Sequence, residues 1–162
     1  MDRTATCHCG QLRVIATGEP DRIYVCHCKA CQRQSGSVVH SGGRWLKSQV
    51  RIEGEHKIYA RKGDSGFEVR CYFCPNCGSN VFSETDRAPE YCGIPVGCFA
   101  DPDFPPPTVS IWEESMHGWL GLATVTDHFQ RGFLPAPPTG SSPAASSLTS
   151  KTSERGSSCS KR

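Results

Sequence analysis

Residues 73–82 read Phe-Cys-Pro-Asn-Cys-Gly-Ser-Asn-Val-Phe, a C-x-x-C pair with Pro75 inside it and Gly78 directly after it. Proline and glycine favour a tight turn, glycine because it tolerates positive φ, so Cys74 and Cys77 can close around a common centre. One such pair is a weak signal. Residues 7–10, Cys-His-Cys-Gly, supply its complement. In an extended segment positions i and i+2 project to one face, so the sulfurs of Cys7 and Cys9 can reach the same centre. Two pairs distant in sequence and joined in space make a tetrahedral four-thiolate site, the closed arrangement of structural zinc.

A third cluster differs in number. Residues 26–31, Cys-His-Cys-Lys-Ala-Cys, offer three thiolates, Cys26, Cys28 and Cys31. Three protein ligands leave one tetrahedral position open, and an open zinc lowers the pKa of a bound thiol or water and polarises a carbonyl. The same spacing serves equally for a closed site completed by a histidine or a fourth cysteine. His27 falls between two ligand positions and, on a strand, faces away from the metal. His40, His56, His117 and His128 read as surface or core residues, His40 least clearly because it follows the cluster closely. Lys29, Arg33 and Arg44 read as solvated charges. The chain has no glycine-rich phosphate loop, no G-x-S-x-G and no H-E-x-x-H.

Eleven cysteines in 162 residues need a physical reason. Disulfide frameworks belong to short secreted chains, whereas residues 1–10 lack the apolar stretch of a secretory signal. Close clustering of cysteines points to metal ligation in a reducing compartment, so a cytoplasmic address is expected. No apolar run approaches the ~20 residues that a transmembrane helix needs, and no membrane partner is expected. The formal charge is +2, but residues 135–162 carry four basic side chains against Glu154 alone, leaving the preceding residues at −1. Bound as thiolates, the two zinc sites would make that part more acidic still, which argues against a nucleic-acid-binding face.

Composition changes sharply after Phe133, where Ser, Pro, Ala and Thr dominate and aromatics vanish. Such a segment cannot bury enough apolar surface to offset its ordering entropy. The expected organisation is one domain over residues 1–134 and a disordered Ser/Pro-rich tail over 135–162. Within the domain, short alternating runs bounded by Gly, Pro, Asn and Asp predict strands. They fall around Leu12–Ala16, Ile23–Cys26, Val50–Ile52, His56–Ala60, Phe67–Phe73, Asn80–Ser83, Tyr91–Gly97 and Thr108–Trp112. One short helix is expected within Glu114–Leu122, and Gly42-Gly43 reads as a turn. Cys71 shares a face with Phe67, Val69 and Phe73 and reads as a buried, inert thiol. Cys92 and Cys98 lack a partner at ligand spacing and read as core. The fold class is mainly β, and the sequence carries no signal for an oligomeric state.

Taken together, C-x-C-G at 7–10, C-H-C-x-x-C at 26–31 and F-C-x-x-C-G-S at 73–79 resemble the glutathione-dependent formaldehyde-activating enzyme family, which includes domains of the centromere protein V type. The likeness runs over roughly residues 4–125. It implies a zinc-organised β fold of the Mss4-like type, with Cys7, Cys9, Cys74 and Cys77 on a structural zinc. It also implies a catalytic zinc on Cys26, Cys28 and Cys31, hence two Zn(II) per chain. The implied activity joins formaldehyde to glutathione as S-hydroxymethylglutathione, a carbon–sulfur lyase reaction run in reverse, or acts on a related small-molecule thiol or aldehyde. A non-catalytic zinc module that binds a partner is the competing class.

Removal of residues 135–162 is expected to leave the melting temperature unchanged. A fall of several degrees on thermal denaturation would show instead that the tail docks on the domain.

Overall fold

Leu12, Val14 and Ala16 are fully buried, as alternate positions of a strand are when only one face meets a core. Val14 and Ala16 belong to β2 (Arg13–Thr17), which Leu12 directly precedes and which lies between β1 (Asp2–Thr6) and β5 (Val50–Glu53) in a small antiparallel sheet. This computed structural model describes residues 1–133, and the expected boundary at residue 134 and the tail at 135–162 lie outside the described residues.

The remaining strands build one larger sheet. They are β3 (Arg22–Cys26), β4 (His40–Leu46), β6 (Lys57–Lys62), β7 (Glu68–Phe73), β8 (Asn80–Thr85), β9 (Tyr91–Pro95), β10 (Val109–Ile111) and β11 (Asp127–Phe129). Their order across the sheet is β11-β10-β3-β4-β9-β8-β7-β6. Neighbours run antiparallel except at one end, where β10 lies parallel to both β3 and β11. The chain is mainly β.

One face of the large sheet packs against the small one. Trp45, Phe82, Cys92 and Ile94 join Ala5, Leu12 and Val14 in a single cluster, with Phe104 closing its edge. Trp45 is the centre of this core. Its ring packs against Phe99 at 5.6 Å and Phe104 at 6.4 Å, and its indole N–H donates to the Gly18 carbonyl at 3.2 Å.

Three expectations are corrected. Gly42 and Gly43 are not a turn but lie inside β4. A Cβ on Gly42 would stand 2.8 Å from the Tyr24 ring, and one on Gly43 2.6 Å from the Trp45 ring, so the glycines make room for aromatics on opposite faces. No α-helix forms within Glu114–Leu122, which holds part of a 3-10 turn, Glu113–Ser115, and further turns. Among the described residues the α-helix is α1 (Lys29–Ser35), which begins within the three-cysteine cluster and runs on past it. It buries no residue, so it has no apolar stripe for periodicity to reveal. Capping defines it instead: the Cys28 sulfur accepts from the Cys31 N–H at 3.3 Å, and Gly36 ends it at φ +67°. Finally, the faces of β7 are exchanged. Tyr72 turns to the core and stacks on Phe82 at 4.2 Å, while Val69 and Cys71 face a cavity on the far side.

Trp45→Ala is expected to lower stability by about 3–5 kcal/mol through the cavity it leaves. Gly43→Ala is expected to cost about 1–3 kcal/mol, because a buried ring must move. Urea unfolding monitored by far-UV circular dichroism measures both.

Candidate metal centres and active-site cavity

The first sulfur group forms where two strands run out. Cys7 follows β1, and a turn closed by Gly10 N–H donating to the Cys7 carbonyl brings Cys9 back beside it. Cys74 follows β7, and a second turn places Cys77, with Gly78 at φ +76° donating its N–H to the Cys74 carbonyl. The second turn is the one that the Pro75–Gly78 pattern predicts, whereas Cys7–Gly10, expected as an extended segment, is itself a turn, so the two sulfurs meet by chain reversal and not by strand alternation. The sulfurs of Cys7, Cys9, Cys74 and Cys77 all lie within 4.8 Å of one another, Cys7 to Cys9 at 3.5 Å and Cys9 to Cys74 at 3.7 Å. A tetrahedron of thiolates at about 2.3 Å from zinc has edges of about 3.8 Å, so the four donors fit that ion.

Donors surround these sulfurs. The Leu12 N–H points at Cys7 and the Gln11 amide at Cys74, each at 3.3 Å. The Ser79 hydroxyl, helped by backbone N–H groups, brings Cys77 down to about 5. Burial works against the Cys74 thiolate but is outweighed by Gln11 and the N–H groups of Cys77 and Asn76, so that thiol also lies low. Hydrogen bonds of this kind orient and hold metal-ligating thiolates.

The second group lies at the end of β3. Cys26 is its last residue, Cys28 caps α1 and Cys31 sits in the helix's first turn, which gathers the three sulfurs within 4.8 Å. Without a cation, sulfurs this close must share protons. Hydrogen bonds from Cys26 and then Cys31 drive the Cys28 thiol far down, and the same contacts drive Cys26 far up. A divalent cation replaces those shared protons, and three thiolates suit zinc.

His27 stands outside the sulfur group. It is fully buried, and burial holds it below its ordinary pKa and therefore neutral. Its Nε2 meets the Ser110 hydroxyl at 3.1 Å, while the Gln32 amide donates to its carbonyl at 2.7 Å. Ser110 in turn serves Glu113, whose carboxyl lies below its ordinary value because hydrogen bonds from Ser110 and His128 outweigh burial. The loop carrying the three cysteines is thereby fastened to β10 and the turn after it.

These sulfurs form one side of a cavity of about 440 Å³ on the face of the large sheet opposite the core. Strand alternation supplies its lining: Arg22, Tyr24 and Cys26 from β3, His40 and Arg44 from β4, Cys71 from β7. Burial raises the Tyr24 phenol well above its usual range, so it keeps its proton, and lowers the His40 imidazole. Cys71 is buried and held up by that burial, as an inert thiol should be. Trp112 completes a wall at φ +61°, a conformation that a bulky side chain rarely adopts.

Of the charges considered in the sequence, Lys29 and Arg33 are exposed and absent from the lining, whereas Arg44 lines the cavity but is bound by the Asp21 carboxylate. Arg22, Tyr24, Arg61, Arg87 and Trp112 are cavity residues that sequence reasoning did not single out. For Tyr24 a signal existed, since it stands two positions before Cys26 on the expected strand Ile23–Cys26; Arg22 lies one residue before that strand and joins it only in the structure. Arg61 and Arg87 arrive from β6 and from the turn after β8, and no local pattern marks them.

A family model described as glutathione-dependent formaldehyde-activating enzyme matches residues 2–115. Among solved structures, a structural-genomics protein of Rhodobacter sphaeroides is similar at 21% identity and a TM-score of 0.47, over 59% of this chain and 85% of that one. No curated protein matches the chain.

Metal analysis is expected to return two zinc ions per chain. A chelator is expected to strip the cavity-facing three-sulfur site first with little change in near-UV circular dichroism. Loss of the second ion is expected to unfold the chain, since structural zinc contributes roughly 10–16 kcal/mol at neutral pH. Cys74→Ser is expected to reproduce that second step, and a metal-free protein with a native spectrum would refute the assignment.

Proposed function

Because the chain belongs to the glutathione-dependent formaldehyde-activating enzyme family, we propose that it joins formaldehyde to glutathione in the cavity beside Cys26, Cys28 and Cys31. The observation that carries this reading is the three-sulfur group opening onto a cavity of about 440 Å³, large enough for a small thiol and an aldehyde together. Cys7, Cys9, Cys74 and Cys77 are assigned to a structural zinc at the edge of the core between the two sheets, with Cys7 and Cys74 buried in that core and Cys9 exposed.

The covalent change is small. The thiol sulfur adds to the aldehyde carbon, the carbonyl π pair passes to oxygen, and the thiol proton ends on that oxygen. Zinc held by Cys26, Cys28 and Cys31 would supply thiol deprotonation or carbonyl polarisation. The chain's own residues do the rest. Val69, Ile111 and Trp112 form apolar wall that excludes water from the reacting groups. Tyr24, on the same face of β3 as Cys26 and protonated, is a donor for the oxygen on which negative charge develops. Holding both reactants in one cavity removes much of the entropic barrier to their meeting. The activity is that of a carbon–sulfur lyase working in the direction of synthesis.

Exchange NMR of formaldehyde with glutathione tests the reading. Wild type is expected to accelerate exchange and Cys28→Ser to abolish the acceleration. Serine is itself a good helix cap, so α1 keeps its start and the fold survives the change. An unchanged rate in Cys28→Ser would sink the three-sulfur mechanism, and no acceleration by wild type would discard this substrate pair.

A further inference from the structure

The family match ends at residue 115, but the cavity wall continues beyond it. After the 3-10 turn the chain returns as β11, parallel to β10, and is held along the rim of the cavity. The Trp112 N–H donates to the Arg131 carbonyl at 3.2 Å, the Glu114 N–H to the Gln130 carbonyl at 3.3 Å, and the Arg131 guanidinium to the Glu114 carboxylate at 3.1 Å. This return brings Gly132 and Phe133 into the lining.

Two guanidinium groups grip that segment. Arg22 lies over the Phe133 ring at 4.5 Å, and the same ring meets Tyr24 edge-on at 6.0 Å. Arg87 lies against the backbone of Gly132, where a Cβ would stand only 2.8 Å from its Nη1. Arg44, their neighbour in the cavity, is neutralised by Asp21, and Glu84 is engaged by Lys47 at 3.0 Å. Arg22 and Arg87 have no carboxylate partner among the described residues, and the Nε of Arg87 is buried without a hydrogen-bond partner. Arg61 and the three cysteines line the same cavity. Arg22 and Arg87 thus share one cavity with the three sulfurs, and Phe133 packs against both Arg22 and the cysteine cluster.

A half-buried guanidinium with unused donors is a costly thing to keep unless a ligand completes it, and its planar fork matches a carboxylate in two parallel hydrogen bonds. We infer that Gly132 and Phe133, with Arg22 and Arg87, form a specificity wall that admits a thiol carrying carboxylates away from its sulfur and selects against an uncharged thiol of the same size. Stacking on Phe133 fixes the plane of the Arg22 fork, and the missing Cβ of Gly132 lets Arg87 approach. This inference rests on the reading of the cavity as a thiol site and adds to it the residues that choose among thiols.

The test uses the full, metal-loaded chain and isothermal titration calorimetry. The probes are S-methylglutathione, which keeps both carboxylates while its sulfur cannot add to an aldehyde, and the dimethyl ester of the same compound. Wild type is expected to bind the diacid about tenfold or more tightly than the diester. Arg22→Gln and Arg87→Gln are each expected to lose about tenfold in diacid affinity with the diester unaffected, and the corresponding lysine variants to recover part of the loss. Phe133→Ala is expected to weaken the diacid alone. Near-UV circular dichroism of each variant separates lost recognition from lost folding. Equal affinity for both probes, no binding of either, or glutamine variants that bind the diacid as wild type does would each overturn the inference. Selective diacid binding without accelerated formaldehyde exchange keeps the wall and rejects the reaction. Acceleration with both glutamine variants indifferent keeps the reaction and rejects the wall.

Discussion

Four sulfurs within 4.8 Å of one another cannot all be anionic unless a cation lies among them. That constraint holds the rest of the structure in place. Cys7 directly follows a strand of the small sheet and Cys74 directly follows a strand of the large one, so an ion shared by them would tie the two layers at one point. Both cysteines are also members of the hydrophobic cluster between the layers. Core packing and the gathering of the four sulfurs are therefore one event, and neither sheet has a complete apolar partner without the other.

The large sheet then has two unlike faces. Along β4, Trp45 enters the core while Arg44 enters the cavity, and Gly42 and Gly43 leave space for one aromatic on each side. Along β3, Arg22, Tyr24 and Cys26 follow one another on the cavity face. A single strand thus carries a charge, a phenol and a sulfur at intervals of two residues, which is the spacing of a row that one small molecule can span. His27 belongs to neither row, and its bond to Ser110 holds the sulfur-bearing loop in position.

Sequence reasoning reached the sulfur groups and the β class because both are written in local patterns. The C-x-x-C pair with Pro75 and Gly78 announces a turn, the C-x-C pair announces two sulfurs within reach of one centre, and alternation announces strands such as β2 and β7. It missed α1 because a helix of seven residues with nothing buried has no periodicity, and β4 because glycines inside a strand look like a turn until the rings they face are known. It exchanged the faces of β7 because Phe67 and Phe73 outweighed Tyr72 in the pattern, whereas packing chose Tyr72 to stack on Phe82. Arg61 and Arg87 were illegible for a deeper reason. They meet the cavity only through tertiary placement, and an arginine on a surface-like strand or turn carries no local mark of its destination.

The two sulfur groups differ in when the growing chain can build them. Cys9 and Cys74 are 65 positions apart, and everything their site needs has been synthesised once Ser79 is in place. The three cysteines of the other group are neighbours in sequence, yet their bed is not. His27 rests on Ser110, 83 positions later, and the rim beyond it waits for β11. Closing so distant a contact comes late in folding, and domains are assembled from the amino terminus during synthesis. The chain can therefore complete its four-sulfur group before it can shelter its three-sulfur one, and for an interval those three thiols stand open to whatever metal or oxidant the cell presents first.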